Sequence, residues 1–281
     1  MRIASLQPSI TLTLAAIGKL DYLCACTKYC IEAQPSLAAR NLTILHDSWT
    51  ANTDEILAAK PDLVIASVPY RMESLAAILK SGLPVLTLAP HNLNDIYNDI
   101  RLIAAVVNAY GEGEALVARM KSAIEMTHQR SVARTQTPLL YCEEWGKPLI
   151  HSQRWVAELV EAVGGQYLGE PGTHTTPEAI AEADPDVLLF AWCGAGDRVP
   201  LEKVIAQRDW HHLRAVRERR VFCIPDEFLN TPGPTLLEGL ASIAAATHPD
   251  LYPPHPRTIR LSEAEASSDR DRAESSVSSA K

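Results

Sequence analysis

The apolar residues follow a pattern that occurs twice in the chain. Residues 54–66 have the sequence DEILAAKPDLVIA, and residues 178–190 have the sequence EAIAEADPDVLLF. Each copy begins with a short acidic helix, continues through a Pro-Asp turn and ends in an apolar run. Such a run between helices is typical of a parallel strand that is buried on both faces. The repeat therefore predicts two similar α/β lobes, and a cleft between lobes is a common place for a small ligand.

The segment between the two copies has a different period. Its apolar residues are spaced as on one face of a helix, which predicts one long helix over residues 94–130, although Gly111 and Gly113 interrupt the pattern. We accordingly expect an N-terminal lobe over residues 1–92, a bridging helix over 93–131 and a C-terminal lobe over 132–252. Residues 253–281 begin with a proline cluster and continue in Ser, Glu, Asp and Arg, so a disordered tail is expected there.

Composition narrows the class of partner. The chain has 281 residues, 47% of them hydrophobic, and a formal net charge of −8, which argues against a nucleic-acid partner. No apolar run of about 18 residues occurs, so no membrane insertion is expected. Met1 leads directly into an apolar strand without a signal-like segment, which predicts a cytoplasmic protein as the chain is written; removal of a leader would instead place it in the periplasm.

Motifs for metal binding and catalysis are weak. Cys24, Cys26 and Cys30 have C-x-C-x3-C spacing, but no second Cys/His pair stands at finger spacing, so reduced thiols are favoured over a metal site. The chain contains no G-x-S-x-G and no phosphate-binding loop motif. We therefore assign no catalytic residue and no metal ligand.

Candidate binding residues lie where predicted strands end, because ligands of open parallel sheets meet the carboxyl ends of the strands. Although aromatic residues make up only 6% of the chain, several of them fall in these loops. Large aromatic faces suit a large, partly apolar, ring-shaped ligand, whereas the alternative is that they only fill the tops of the lobes. The candidates are Ser9, Tyr29, Trp49, Tyr70, Arg71 and His91 in the first lobe, and Glu144, Trp145, Trp192 and Phe228 in the second.

Several segments resemble one family. RIASLQPSIT at residues 2–11 is similar to the opening of the class III substrate-binding proteins of ABC transporters, and PDLVI at 61–65 looks like one of their strands. Glu144-Trp145, Pro148, Trp155 and ELVEAVGG at 158–165 resemble their second lobe, and Pro232-Gly233-Pro234 the start of their last helix. The likeness covers residues 1 to about 250 and is greatest to the cobalamin-binding branch.

The resemblance implies an α/β protein of two Rossmann-like lobes with parallel sheets, joined by one long interdomain helix. It implies a monomer that holds cobalamin or a related corrinoid between the lobes and performs no chemistry. If the protein is exported, the family's partner is an ABC permease, and Glu73 and Glu202 stand nearest to the carboxylates that dock onto it. Thr13 departs from the family, many of whose members have Glu near this position.

Two alternatives remain open. Another metal chelate, either haem or a ferric siderophore, could be the ligand, and Tyr29, Tyr70 and Arg71 do not decide between them. A cytoplasmic enzyme on the same scaffold would have Glu144, His91 and Asp226 as its ionisable set, and a carboxyl group of perturbed pKa would support it.

Overall fold

A computed structural model describes residues 1–131 and 137–261. The chain divides into two compact units. The first comprises Met1–Glu125 and Thr231–Leu237, and the second comprises Met126–Asn230 and the chain from Glu238 onward. In the described ranges, no helix is both long enough and apolar enough to cross a membrane.

In the first unit, the described strands form one parallel sheet in the order β3-β2-β1-β4-β5. Its central strands are almost fully buried, as the continuous apolar runs predict. The strands are β1 (Ile3–Ser5), β2 (Leu23–Thr27), β3 (Thr43–Leu45), β4 (Leu63–Ser67) and β5 (Val85–Leu88). The helices that begin in this unit are α1 (Pro8–Ala16), α2 (Lys28–Ala33), α3 (Thr53–Ala59), α4 (Met72–Lys80), α5 (Leu93–Val106) and α6 (Tyr110–Ser131), and 3-10 turns cover Leu20–Tyr22 and Pro35–Ala39.

The sheet of the second unit is mixed rather than parallel, which corrects the expectation of two parallel sheets. Its order is β12-β11-β10-β6-β7-β9, with β8 also paired to β6. β10 pairs in parallel with both β11 and β6, and β6 pairs in parallel with β8. The pairs β6–β7, β7–β9 and β11–β12 are antiparallel. The strands are β6 (Leu139–Gly146), β7 (Leu149–His151), β8 (Gln166–Tyr167), β9 (His174–Thr175), β10 (Val187–Phe190), β11 (Val221–Cys223) and β12 (Ile259–Arg260).

The helices of the second unit pack their apolar sides into its core. Tyr141, Phe190 and Trp210 are fully or almost fully buried there, and Tyr141 meets both of the other rings edge-on. The helices are α7 (Arg154–Ala162), α8 (Pro177–Ala183), α9 (Leu201–Gln207), α10 (Arg214–Arg217), α11 (Asp226–Leu229) and α12 (Leu236–Thr247), with a 3-10 turn at Trp210–His212.

The sequence repeat is also a structural repeat. α3 and α8 both end at a residue with left-handed backbone, Lys60 and Asp184, and both lead through Pro-Asp into a buried strand. The Asp of each turn fixes the start of the neighbouring strand. Asp62 Oδ2 accepts a hydrogen bond from the backbone N–H of Arg2 at 2.7 Å, and Asp186 Oδ2 accepts one from Leu139 at 2.8 Å. The prediction of two similar α/β lobes is confirmed.

The single bridging helix expected over residues 93–131 is wrong. The chain forms two helices, α5 and α6, separated at residues 107–109. Asn108 adopts φ of 51°, a left-handed conformation that ends α5. The helices fold back on each other, because Arg101 of α5 pairs with Glu114 of α6 at 2.7 Å and Lys121 lies over the ring of Tyr97. The unit boundary falls within α6, after Glu125.

The tail expected over residues 253–281 begins too early. Residues 253–261 are ordered, because β12 pairs with β11 and the backbone N–H of Leu261 donates to Val221. Arg257 forms an ion pair with Glu227 at 2.7 Å. Residues 262–281 lie outside the described residues, so their predicted disorder stays a prediction.

Candidate functional site

A pocket of about 460 Å³ opens on the second unit. Its volume lies within the range of small-molecule sites. Two indole rings, Trp145 and Trp192, form part of its lining, and both were predicted from the sequence. The remaining lining residues are Gly146, Lys147, Cys193, Gly194, Ala195, Pro200, Lys203, Val204 and Gln207.

Trp145 stands on a strand rather than in the loop that the sequence predicted. β6 continues through Gly146 and turns into β7, so that Trp145 pairs with Ile150. The indole N–H of Trp145 donates to the carbonyl oxygen of Lys147 at 2.8 Å. This bond holds the ring against the turn of the hairpin while 44% of the residue remains exposed. The hairpin therefore presents a pre-positioned aromatic face to the pocket.

Trp192 follows β10, at the strand end where it was expected. Its indole N–H donates to Glu143 Oε1 at 2.8 Å. Its ring lies directly against Gly146, where a Cβ atom would come within 2.5 Å of Cζ2. Since only glycine leaves room for this approach, Gly146 allows the indole to lie flat on the strand.

A buried ion pair supports Trp192 from behind. The side chain of Glu143 is fully buried, and Arg208, 9% exposed, binds both of its oxygens at 2.8 Å. Tyr141 also donates its hydroxyl to Glu143, at 2.5 Å. Burial, together with the charge of Glu143, raises the pKa of Tyr141 well above its ordinary value, so the phenol stays protonated. Both oxygens of the Glu143 carboxylate thus accept charge-assisted hydrogen bonds, and Arg208 binds them in a bidentate manner.

Glu144, the next residue of β6, belongs to a different network. It accepts a hydrogen bond from Gln153 at 2.7 Å and contacts the thiol of Cys193 at 3.7 Å. Burial raises its pKa, although these hydrogen bonds oppose the shift. Glu143 and Glu144 therefore have separate sets of hydrogen-bond partners.

Asp226 supports the loop that carries Gly194. Its carboxylate accepts backbone hydrogen bonds from Gly194 at 2.8 Å and Gly196 at 2.9 Å. Burial raises the pKa of Asp226, whereas these bonds lower it. Burial likewise raises the pKa of Cys193, with added repulsion from Glu144 and Asp226. The perturbed carboxyl groups of Glu144 and Asp226 thus have a structural explanation, since both fasten the 193–196 loop that lines the pocket.

Two of the first-unit candidates contact each other. Arg71 lies 4.9 Å over the exposed ring of Trp49, which brings these two predicted residues together. Tyr29 is partly exposed in α2, with the ammonium of Lys28 over its ring. Ser9 is buried in the first turn of α1 rather than in a loop. Tyr70 and the exposed His91 follow β4 and β5 respectively, as expected.

Phe228 does not line the pocket of its unit. It is 5% exposed, its ring meets the ring of His255 edge-on, and Arg257 lies over it at 4.9 Å. The ordered segment after residue 253 therefore covers this ring. The sequence pattern did not reveal the contact, because that segment was expected to be disordered.

The cysteine cluster of the first unit is buried. Cys24 and Cys26 lie on β2, and Cys30 lies in α2 with Thr27 donating its hydroxyl to the sulfur at 3.3 Å. All six cysteines of the chain are free thiols. Among the described residues, no group of three or more His, Cys, Asp or Glu side chains could hold a metal ion.

Sequence reasoning missed the polar lining of the pocket. Lys203 and Gln207 lie on α9, a helix that was not predicted, while Leu201, Val204 and Ile205 of the same helix are buried. The spacing of these three apolar residues is a helical signal that could have placed Lys203 and Gln207, four residues apart, on one side of the helix. Lys147 was visible in the sequence only as part of a turn.

Two α/β units with a repeated helix–turn–strand motif, one carrying an indole-lined pocket, define a small-molecule binding protein by fold and site. A family model described as periplasmic binding protein matches residues 3–228. The chain belongs to this family of binding proteins, which confirms the resemblance seen in the sequence.

Individual relatives agree with this membership. An uncharacterized ABC transporter substrate-binding lipoprotein, YvrC of Bacillus subtilis, is 23% identical over 263 residues, covering 89% of this chain and 81% of that protein. A vitamin B12-binding protein of Yersinia pestis is 25% identical over 201 residues, with coverages of 68% and 69%. The crystal structure of a periplasmic heme binding protein from Pseudomonas aeruginosa superimposes with a TM-score of 0.82 at 19% identity, covering 93% and 98% of the two chains.

Proposed function

We propose that this chain binds cobalamin or a related corrinoid and presents it to the permease of an ABC transporter. The observation that carries the proposal is the pocket between Trp145 and Trp192, in a chain of the periplasmic binding protein family. Two rigidly held indoles offer apolar, planar surface to the face or edge of a macrocycle. The Yersinia relative, named as a vitamin B12-binding protein, supports a corrinoid as the ligand.

The proposal requires binding without turnover. The carboxyl groups of Glu144 and Asp226, whose pKa values burial raises, are engaged by Gln153 and by two backbone N–H groups respectively. In the proposed function these carboxylates hold the 193–196 loop in place and do not transfer a proton to or from the ligand. The periplasm is the proposed location, supported by the names of the family and of the Bacillus lipoprotein.

Calorimetric titration with cyanocobalamin tests the ligand. The wild-type chain should bind it, and Trp145→Ala combined with Trp192→Ala should raise the dissociation constant at least about 30-fold, since stacking on each aromatic residue contributes on the order of 1–3 kcal/mol. Tyr110→Ala, which removes an exposed aromatic ring outside the candidate set, is the control and should bind as the wild type does. Unchanged affinity in the double variant would remove the aromatic wall from the proposal.

Haem or a ferric siderophore is the second candidate ligand. The specific observation that favours it is the presence of Lys147 and Lys203 beside the indoles, because ammonium groups suit the acidic substituents of such chelates. Titration with haemin under the same conditions separates the candidates, since the tighter ligand displaces the other and their visible absorption bands differ.

We also propose Glu73 and Glu202 as the carboxylates that contact the permease. Glu73 is exposed in the first turn of α4, and Glu202 lies in the first turn of α9. Replacement of both by arginine should abolish ligand-stimulated ATPase activity of a reconstituted transporter and leave ligand affinity unchanged. A loss of affinity would instead place Glu202 in ligand binding, next to Lys203.

A further inference from the structure

We propose that the pocket selects ligands with an acidic substituent, either carboxylate or phosphate, at the edge of the macrocycle, and that Lys147 and Lys203 bind this substituent. The inference rests on the proposed function and narrows it. It assigns to the two lysines a specificity role that the indole walls cannot supply, because stacking does not distinguish charged from uncharged substituents.

Both lysines are held beside the aromatic walls by rigid elements. Lys147 forms the turn between β6 and β7, and its carbonyl oxygen receives the indole N–H of Trp145 at 2.8 Å. Lys203 lies on α9, where the neighbouring Val204 is buried in the core and also lines the pocket. Because each backbone is fixed by packing or pairing, each side chain reaches the pocket from a defined place.

The two ammonium groups have no partner among the residues that the structure describes. Across residues 1–131 and 137–261, neither the Nζ of Lys147 nor the Nζ of Lys203 makes a hydrogen bond or an ion pair. The pocket lining also contains no Asp or Glu side chain. The chain as a whole carries a net charge of −8, whereas the lining of this pocket carries two unpaired positive charges.

Three carboxylates near the pocket residues are engaged by other groups of the protein. Glu143 is bound by Arg208, and Asp226 accepts the two backbone hydrogen bonds of the 193–196 loop. Glu144 receives the amide of Gln153. A ligand anion therefore meets two free ammonium groups without displacing the carboxylates of Glu143, Glu144 or Asp226 from their partners.

The chemistry of the ligand follows from this arrangement. An ammonium group is a strong point donor for carboxylate or phosphate oxygens. A macrocycle that has every carboxylate amidated or esterified and that carries no phosphate offers no negative charge to either lysine. The pocket should accordingly prefer an acidic corrinoid to its neutral derivative with the same ring and metal.

Two pairs of corrinoids test the inference in the full chain. Dicyanocobyrinic acid and its heptamethyl ester differ in carboxylate charge, whereas cyanocobalamin and dicyanocobinamide differ in the nucleotide loop that carries the phosphodiester. The wild type should bind the acidic member of at least one pair about tenfold more tightly, in line with the strength of one charge-assisted hydrogen bond. A preference within the first pair identifies carboxylate as the group recognised, and a preference confined to the second pair identifies phosphate if the lysine variants abolish it.

Lysine variants assign the preference to the two side chains. Lys147→Gln and Lys203→Gln should each reduce the preference for the acidic member by several-fold. Lys203→Arg, which keeps the positive charge, should retain the preference that Lys203→Gln loses. Lys80→Gln, at an exposed lysine of the first unit, should leave it unchanged. Equal binding of both members in the wild type, or an unaltered preference in both Gln variants, would overturn the inference and leave the proposed function standing. Absence of binding for all four corrinoids would overturn both.

Discussion

The indole N–H of Trp192 donates to Glu143 Oε1 at 2.8 Å, and this bond connects the wall of the pocket to a buried ion pair. Arg208 holds both oxygens of the same carboxylate and lies 4.8 Å from the ring of Trp210. The position of Trp192 consequently depends on residues that do not themselves line the pocket.

Arg208→Met should lower the free energy of unfolding by about 3–5 kcal/mol, because it leaves the charge of Glu143 buried and uncompensated. Urea denaturation followed by circular dichroism measures the change. Arg154→Met is the matched control, since Arg154 pairs with Glu158 and Glu161 at the surface and should contribute less than about 1 kcal/mol. Adding Glu143→Met to the Arg208 variant should recover part of the loss. Equal effects of the two arginine variants would contradict a special role for the buried pair.

Gly146→Ala should weaken ligand binding by displacing the ring of Trp192. A Cβ at residue 146 would approach ring carbons of Trp192 at 2.5 to 2.9 Å, so the indole must move. Titration should show about a tenfold or larger loss of cyanocobalamin affinity, equivalent to about 1.4 kcal/mol, with a changed near-ultraviolet dichroism of the indole. Gly111→Ala, where a Cβ would meet nothing within 4 Å, should change neither measurement. Wild-type affinity in Gly146→Ala would show that Trp192 can bind the ligand from another position.

Asp99→Asn should stabilise the protein at neutral pH. Burial, reinforced by the negative charge of Asp95, raises the pKa of Asp99 to about 6. The folded state thus binds this proton more tightly than the unfolded state, so the stabilising contribution is complete below about pH 4 and is lost as the pH rises through 6. The Asn variant should exceed the wild type by roughly 1–2 kcal/mol at pH 7, after allowance for partial solvent screening. The two proteins should unfold at the same urea concentration at pH 4. The same offset at both pH values would argue against titration of Asp99 as the cause.

Local sequence was sufficient to predict the repeated units. Asp62 and Asp186 lie in turns whose neighbours, an acidic helix before and an apolar run after, have strong periodic signals within 13 residues. The sequence also predicted that Trp192 follows the strand end of the second copy, as it does after β10. These features depend on contacts between residues that are near in sequence or on the general rule that parallel strands end at one edge.

The errors arose where the backbone changed direction for reasons beyond local composition. The helix break fell at Asn108, whose left-handed conformation lets α5 and α6 pair through Arg101 and Glu114, rather than at the two glycines. Residues 253–261 look polar and proline-rich, yet the edge of β11 gives their backbone a pairing partner. A free strand edge elsewhere in the fold cannot be recognised from the sequence of the segment that occupies it.

The sequence by itself determined the α/β class, the paired units, the family and the aromatic residues around which a pocket could form, because periodicity and turn chemistry are local. Only the tertiary structure decided that Trp145 and Trp192 line one pocket, that Phe228 lies under residues 255–257, and that Lys147 and Lys203 line the same cavity. These relationships join residues 27 to 56 positions apart in the chain, and they depend on side-chain packing rather than on the preferences of any one segment.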